Sequence, residues 1–247
     1  MSLAAQKLEL PVDGRRAYAY TGGKPFDPTL PCMVFVHGAL NDHSVWTLLA
    51  RWFAHHGHAV LALDQPGHMR SEGPLLDSVE ALADWVVRVL DAAGVARATV
   101  AGHSMGSLIG LEAAARHPER VERLVMLGTA YPMKVSAALL QMSLEDPLRA
   151  IDLVNTLSIS TQSAKPSHPG PGFSLHGGNR ALMRRTLRAY TQGNLFHHDF
   201  AACHHYAGLE TVAPHIQAPV TLVLGRQDQM TSPKAVAPLV QALNAKV

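Results

Sequence analysis

Residues 98–113, Ala-Thr-Val-Ala-Gly-His-Ser-Met-Gly-Ser-Leu-Ile-Gly-Leu-Glu-Ala, decide the fold of this chain. Residues 98–101 form a short apolar run that predicts a buried strand, and residues 105–116 have a pattern typical of a helix. Between the two lies Gly-X-Ser-X-Gly, residues 102–106. A serine on so sharp a strand-to-helix turn has a strained backbone, so small residues flank it and its hydroxyl stands clear of the sheet. The stretch therefore predicts a nucleophile elbow at Ser104.

The glycines of this stretch also allow a second interpretation. Gly102, Gly106 and Gly110 could simply let a helix pack closely on a sheet, without any chemistry. The strand, turn, helix and flanking glycines all agree with the elbow, which is therefore the favoured interpretation.

Apolar runs elsewhere in the chain predict a parallel α/β sheet with helices on both faces. The runs lie at residues 32–36, 59–63, 124–127 and 220–224, and helical patterns occur at residues 44–56 and 78–93. Residues 8–10 and 16–21 predict two short opening strands, joined by the turn sequence Pro-Val-Asp-Gly as an antiparallel hairpin.

A long connection predicts an inserted subdomain. Residues 130–219 separate two buried strands where one crossover helix would suffice. We expect a core over residues 1–132, a helical cap over 133–207, and a second, incomplete part of the core over 208–247.

Local signals within this cap predict its helices. Asp146 followed by Pro147 is typical of a helix start, and Asn179 and Asn194 can begin two more helices. Residues 165–178 are rich in proline and glycine, which predicts an irregular, mobile link.

Composition and charge narrow the range of possible functions. The 247 residues are 47% hydrophobic and 16% charged, with 21 basic and 19 acidic side chains, which predicts a soluble globule and disfavours nucleic-acid binding. Cys32 and Cys203 have no metal-site or disulfide-framework spacing, which predicts a reducing compartment and no metal. Without a signal peptide or an apolar span, we expect a cytoplasmic protein with no membrane partner. No cofactor is expected.

Four blocks of the sequence resemble the α/β-hydrolase superfamily. The first is the elbow, and the second, residues 37–46 beginning His-Gly-Ala-Leu, is similar to the family's oxyanion loop. The third, residues 64–71, resembles its D-x-P-G-x-G-x-S turn, with Met69 where the family usually has glycine. The fourth, residues 224–228, resembles its acid loop. The resemblance implies a mostly parallel, twisted sheet flanked by helices, with an inserted helical cap.

The resemblance also implies roles for individual residues. Ser104 would be the nucleophile, the backbone N–H groups of Ala39 and Met105 would form the oxyanion hole, and Asp228 would be the acid. Another interpretation of Asp228 is a helix N-cap near Pro233 or a plain surface acid.

The family order requires a histidine base after Asp228, yet residues 229–247 contain none. We therefore interpret the chain as a C-terminally shortened member, with its last strand and helix missing except for the start of a strand at residues 245–247. We expect the edge of the preceding strand to be unpaired.

Fifteen other positions carry histidine, and we expect none of them to be the base. In the family pattern His103 would pack beneath the serine, and His37 and His68 would make structural hydrogen bonds. The pairs His197-His198 and His204-His205 are expected on solvated helix faces, and they would be candidates for the base only if the cap folds down on Ser104.

These observations predict a hydrolase of the Ser/His/Asp type. It would cleave an ester, lactone, thioester or activated C–C bond of a small-molecule acyl substrate through an acyl-enzyme, and it could form a homo-oligomer. The alternatives are a non-catalytic ligand-binding or receptor module on the same fold, or a cofactor-free haloperoxidase or acyltransferase. The cap's apolar side chains would line the pocket or form the cap's own core: Met133, Leu139, Leu140, Met142, Leu153, Met183, Leu187, Phe196 and Phe200.

Overall fold

A computed structural model describes residues 7–159 and 175–247. These residues form a seven-stranded sheet in the order β1-β2-β4-β3-β5-β6-β7. β1 and β2 form the predicted antiparallel hairpin, β2 runs antiparallel to β4, and the remaining pairs are parallel. The strands are Lys7–Val12, Arg15–Tyr20, Cys32–Val36, Ala59–Asp64, Ala98–His103, Val121–Leu127 and Val220–Val223.

Helices cover both faces of the sheet, because the central strands bury side chains on both sides. Val34, Val36 and Val100 point into a cluster with helices α2 and α3, while Met33 and Phe35 pack with Trp46 and helix α1 on the other face. This alternation follows the two-residue period of a strand. The core helices are α1 (Thr47–His55), α2 (Val79–Ala92), α3 (Met105–Arg116), α8 (Leu209–Val212) and α9 (Ala237–Leu243).

Four helices of the described residues lie within 133–207, the part of the chain predicted to form the cap. They are α4 (Ala137–Glu145), α5 (Pro147–Ser158), α6 (Leu175–Ala189) and α7 (Leu195–His205). We call residues 133–207 the helical insertion. Its helices share an apolar cluster with Leu40, which lies in the loop after β3. That contact fastens the insertion to the carboxyl end of the sheet.

The helix starts within the insertion are partly as predicted. Asp146 caps α5, whose first residue is Pro147, and Asn194 caps α7. Asn179 does not begin a helix, because α6 already starts at Leu175. The prediction of an irregular link over 165–178 is therefore wrong for residues 175–178, which begin α6 because a helical pattern follows them. Residues 165–174 lie outside the described residues.

The far edge of β7 is not fully unpaired. The Lys246 N–H donates to the Val220 carbonyl at 3.0 Å, and the Leu222 N–H donates to the Lys246 carbonyl at 2.7 Å. This parallel bridge matches the predicted start of a strand at residues 245–247, and it corrects the expectation that the polar groups of β7 lack partners.

No helix in the described ranges is both long enough and apolar enough to cross a bilayer.

Candidate active site

Ser104 occupies the predicted sharp turn between β5 and α3. Its backbone angles are φ 52° and ψ −120°, a left-handed conformation that is uncommon for a residue with a side chain. The Ser104 N–H donates to the Leu127 carbonyl at 3.0 Å, and its own carbonyl accepts from the Ser107 N–H at 2.8 Å. These bonds hold the strained turn in place.

The flanking glycines make this turn possible through close backbone contacts. A Cβ atom added to Gly102 would lie 2.0 Å from the Gly106 carbonyl oxygen, and one on Gly106 would lie 2.2 Å from the Val36 oxygen. Both distances are shorter than any real contact. Close packing is thus one role of these glycines, and it coexists with the strained serine between them.

A cavity of about 520 Å³ opens above Ser104. It is lined by Ala39, His103, Ser104 and Asp228 from the core. The helical insertion contributes much of the rest, including Met133, Leu139, Val154, Leu157, Met183 and Phe200. We call this space the Ser104 cavity. Its volume is in the usual range for a small-molecule site.

The apolar side chains predicted for the insertion divide between two roles. Leu139, Met183 and Phe200 both line the Ser104 cavity and belong to the insertion's apolar cluster. Phe196 is fully buried in that cluster, whereas Leu153 is exposed. Three more of the predicted side chains, Leu140, Met142 and Leu187, are partly buried against the same cluster.

Asp228 lies in the loop after β7, and its carboxylate organises that loop. Oδ1 accepts from the N–H groups of Met230 at 2.8 Å and Thr231 at 2.9 Å, and Oδ2 accepts from the Thr231 hydroxyl at 2.8 Å. The 3-10 turn at Pro233–Val236 has Ser232 as its N-cap, so the helix-cap interpretation of Asp228 is wrong. The side chain is instead held at the wall of the Ser104 cavity.

The two predicted oxyanion donors flank the serine. Met105 is the first residue of α3, where backbone N–H groups lack partners within the helix. Ala39 lines the cavity, and its loop packs on the elbow, because a Cβ added to neighbouring Gly38 would lie 3.1 Å from Ser104 Cβ. The fold therefore places the Ala39 loop and the first turn of α3 next to Ser104, and the oxyanion role of the two N–H groups stays a prediction.

His103 does not pack out of reach beneath the serine. The residue is exposed and lines the cavity, with its ring between Gly38 and Gly128. Protein atoms around the rest of the ring desolvate the imidazole, which lowers the pKa of His103. The nearby Asp228 carboxylate opposes this shift. The structure corrects this expectation: His103 is the last residue of β5, where the strand reaches the cavity at its carboxyl end.

The other histidines divide into buried and peripheral groups. His37 and His68 make the structural hydrogen bonds that were predicted. In the insertion, His197 contacts the Ser143 hydroxyl at 3.0 Å and His204 accepts from the Val135 N–H at 3.2 Å, so these two are not simply solvated. Within the described ranges, no imidazole is hydrogen-bonded to Ser104 or Asp228.

A family model described as "alpha/beta hydrolase fold" matches residues 31–247, which include the elbow, the oxyanion loop and Asp228. The chain belongs to the alpha/beta hydrolase family. The predicted family and fold are thereby confirmed.

Two curated proteins resemble part of this alpha/beta hydrolase. A putative non-heme haloperoxidase of Mycobacterium phage D29 is 38% identical over 99 residues, covering 40% of this chain and 36% of that protein. The (E)-2-((N-methylformamido)methylene)succinate hydrolase of Acinetobacter baylyi is 31% identical over 100 residues, covering 40% and 38%. The matched stretch thus spans less than two fifths of either relative.

A solved structure extends the likeness to nearly the whole alpha/beta hydrolase chain. The enol-lactonase from Burkholderia xenovorans superposes with a TM-score of 0.80, covering 97% of this chain and 89% of that chain, at 22% sequence identity. At that identity the likeness establishes the fold.

The turn after β4 has a left-handed residue at the position where the sequence is unusual. Met69, which stands where this family usually has glycine, has φ 42°, so a methionine adopts the left-handed conformation there. Neighbouring Asp64 supports the turn through Oδ2, which accepts from the Arg70 N–H at 3.2 Å. The turn survives because its hydrogen bonds outweigh a strain of about 1 kcal/mol.

Asp42, His43 and Asp64 lie close enough together to be considered as a cation site, with ligand atoms within 4.8 Å of one another. Protein donors already occupy these carboxylates: Asp42 accepts from Ser44 and Arg185, and Asp64 accepts from the backbone and ring of His43. The group therefore acts as a structural network, and the absence of a metal remains a prediction.

Sequence reasoning missed Asp199, which bonds to the loop that carries Ala39. Its Oδ2 accepts from the Leu40 N–H at 2.8 Å and lies 3.0 Å from His68 Nε2. A signal was present, because this acid lies between Phe196 and Phe200 on a helix that buries both rings. Its partners are 159 and 131 positions away, which no local pattern reveals.

Proposed function

We propose that this chain is a serine hydrolase that cleaves an ester, lactone, thioester or activated C–C bond of a small molecule through an acyl-enzyme. The observation that carries the proposal is the strained Ser104, held at the start of α3 in one cavity with Ala39 and Asp228. Strain of this kind clusters at functional sites. The names of the related proteins, a hydrolase and an enol-lactonase among them, agree with acyl chemistry.

The proposed reaction has two steps. Ser104 Oγ attacks the acyl carbon while a base takes its proton, and the N–H groups of Ala39 and Met105 stabilise the oxyanion. The leaving group departs with a proton, and water then cleaves the acyl-serine ester. Asp228 is the acid that orients and stabilises an imidazole base.

Phosphonylation of Ser104 tests this proposal directly. In a fluorophosphonate reaction the serine oxygen bonds to phosphorus, fluoride leaves, and the hydroxyl proton must go to a base. Because no imidazole of the described residues is bonded to Ser104, we expect slow labelling of the 247-residue chain, accelerated by added imidazole.

Mass spectrometry locates the adduct. Ser104→Ala should remove it, whereas Ser158→Ala, which changes another serine lining the same cavity, should leave it unchanged. Labelling of Ser104→Ala at the wild-type rate, or no adduct even with imidazole, would show that Ser104 is not the nucleophile.

A non-catalytic ligand-binding module is the second candidate. The observation that favours it is the same missing contact between an imidazole and Ser104 in the described residues. This function predicts a small molecule bound in the Ser104 cavity without any serine adduct. A cofactor-free haloperoxidase or an acyltransferase would use the same serine, and only the products formed from an acyl donor distinguish them from a hydrolase.

A further inference from the structure

Asp199 is a carboxylate buried inside the apolar part of the helical insertion. It is 2% exposed, on a helix whose Phe196 and Phe200 lie in the insertion's apolar cluster. Removing a carboxylate from water costs several kcal/mol unless charge and hydrogen bonds compensate. A leucine could supply the packing at this position. A buried carboxylate therefore calls for a further function.

The partners of Asp199 lie in two loops at the carboxyl end of the sheet. Oδ2 accepts from the Leu40 N–H, in the loop after β3, and from His68 Nε2, in the turn after β4. Burial opposes a charged imidazole at His68, but the Asp199 carboxylate and the Pro66 carbonyl outweigh it and raise the pKa of His68. Both ring nitrogens of His68 face acceptors, so this buried hydrogen-bonded pair joins the insertion to both loops.

These bonds fix the peptide units on either side of Ala39. Ala39 C=O and Leu40 N–H belong to one peptide unit, which is held at one end by Asn41 Nδ2 at 3.0 Å and at the other by Asp199. Leu40 has φ 54°, a conformation that needs such support.

The preceding peptide unit joins Gly38 C=O to Ala39 N–H. The Gly38 oxygen accepts from the Asn41 N–H at 3.2 Å and from His37 Nδ1 at 2.9 Å. His37 Nε2 accepts from the Gln65 N–H, so Nδ1 carries the proton. With the carbonyl held on one side, the Ala39 N–H must point to the other.

We infer that Asp199 is a positioning residue, which holds the 38–41 loop so that the Ala39 N–H faces the oxyanion formed at Ser104. The inference rests on the proposed function. It makes the insertion part of the catalytic apparatus, because the seating of α7 then sets the geometry of the oxyanion hole. A misplacement of about 1 Å in such a group can slow a reaction by about 100-fold.

The test combines two measurements on Asp199→Asn, with Asp77→Asn as the matched control. Asp77 is a fully exposed acid near His198, and it does not contact the loop. The first measurement is the NMR signal of the Leu40 amide proton, which we expect to move upfield in Asp199→Asn. The second is the fluorophosphonate reaction of Ser104 in added imidazole. We expect its maximal rate to fall by about 10-fold to 100-fold, with unchanged reversible binding of the probe.

The outcomes separate this inference from the proposed function. If wild type labels at Ser104 and Asp199→Asn labels equally fast, Asp199 does not position the loop. If wild type never labels, the proposed function fails, and an unmoved Leu40 amide signal in the variant would independently overturn the role of Asp199.

A variant that keeps the carboxylate guards against misfolding. Should Asp199→Asn fail to fold, His68→Asn removes the cationic partner while Asp199 remains. In that variant a labelling rate that falls together with an upfield move of the Leu40 amide signal, or stays unchanged together with it, supports the inference, and a change in only one of the two contradicts it. A merely structural role would lower the unfolding midpoint without changing the labelling rate of the folded protein.

Discussion

Backbone strain in this protein is concentrated in the loops after the three central parallel strands. Leu40 follows β3, Met69 follows β4 and Ser104 follows β5, and their φ angles are 54°, 42° and 52°. Each residue costs about 1–2 kcal/mol in this conformation relative to an ordinary one. Asp13 and Asn244 also have positive φ angles elsewhere in the described residues, but the recurrence after three neighbouring strands, at the edge that holds Ser104, is the pattern expected of a functional site.

The elbow glycine provides a prediction about stability. Gly102→Ala would press a Cβ atom against the Gly106 backbone, which cannot move without shifting α3. We expect the free energy of unfolding to fall by about 3 kcal/mol. Chemical denaturation followed by circular dichroism measures the change.

The matched control for this prediction is Gly178→Ala. Gly178 lies in α6 with no atom within 4 Å of an added Cβ, so the substitution should raise stability by about 0.5–1 kcal/mol through helix propensity. Equal effects of the two substitutions would contradict the close approach at the elbow.

At the level of elements, α5 connects the insertion to the loop that carries Asp228. The Gln229 N–H donates to the Leu157 carbonyl at 3.2 Å, and the Leu157 side chain lines the Ser104 cavity. Leu153, one turn earlier on the same helix, is exposed instead. Helix α5 thus carries one leucine that lines the Ser104 cavity and another, four residues earlier, that is exposed to solvent.

These two leucines make a matched pair for testing the cavity. Leu157→Trp adds bulk inside the Ser104 cavity, so it should slow labelling of Ser104 by a long-chain alkyl fluorophosphonate about 10-fold more than labelling by an ethyl one. Leu153→Trp adds the same bulk outside and should change neither rate. Equal sensitivity to chain length in both variants would mean that the acyl chain does not enter this space.

At the level of the whole molecule, the buried His68–Asp199 pair connects the sheet and the insertion, and it makes stability depend on pH. Burial opposes a charged His68, but Asp199, the Pro66 carbonyl and Asp64 together raise the pKa of His68 above its ordinary 6.5. Burial favours a neutral Asp199, but His68 and His198 outweigh it and lower the pKa of that carboxyl below 3.8.

The direction of each pKa shift determines the pH range over which the His68–Asp199 pair stabilises the fold. A raised histidine pKa stabilises the fold fully below about pH 6.5, and this stabilisation is lost as pH rises through the folded-state pKa. A lowered carboxyl pKa stabilises the fold above about pH 3.8, and this stabilisation is lost as pH falls through the folded-state pKa. We therefore expect the free-energy difference between wild type and His68→Gln to be greatest near pH 5 and to shrink toward alkaline pH, by at most about 1.4 kcal/mol per pH unit.

Urea unfolding at a series of pH values checks this prediction. In the Asp199→Asn background, the same His68→Gln substitution should lose this pH dependence, because the counter-charge is gone. A pH dependence that persists in that background would assign the effect to another group.

The sequence by itself determined the elements and their class. Fully apolar strands such as Cys32–Val36, the Asp146–Pro147 helix start and the Gly-X-Ser-X-Gly turn depend on local chemistry, so they could be read from neighbouring residues. The sequence also placed Ser104, Ala39 and Asp228 at loops following parallel strands, and such loops meet at one edge of a sheet.

Only the tertiary structure decided which histidines of the described residues reach which partners. It turned His103 toward the cavity, paired His68 with Asp199 across 131 positions, and brought Lys246 beside β7. These contacts depend on the strand order and on how the insertion seats over the sheet, which are set by burial summed over the whole chain. A local pattern indicates whether a side chain tends to be buried or hydrogen-bonded. Which distant residue it contacts depends on how the intervening strands, helices and loops pack.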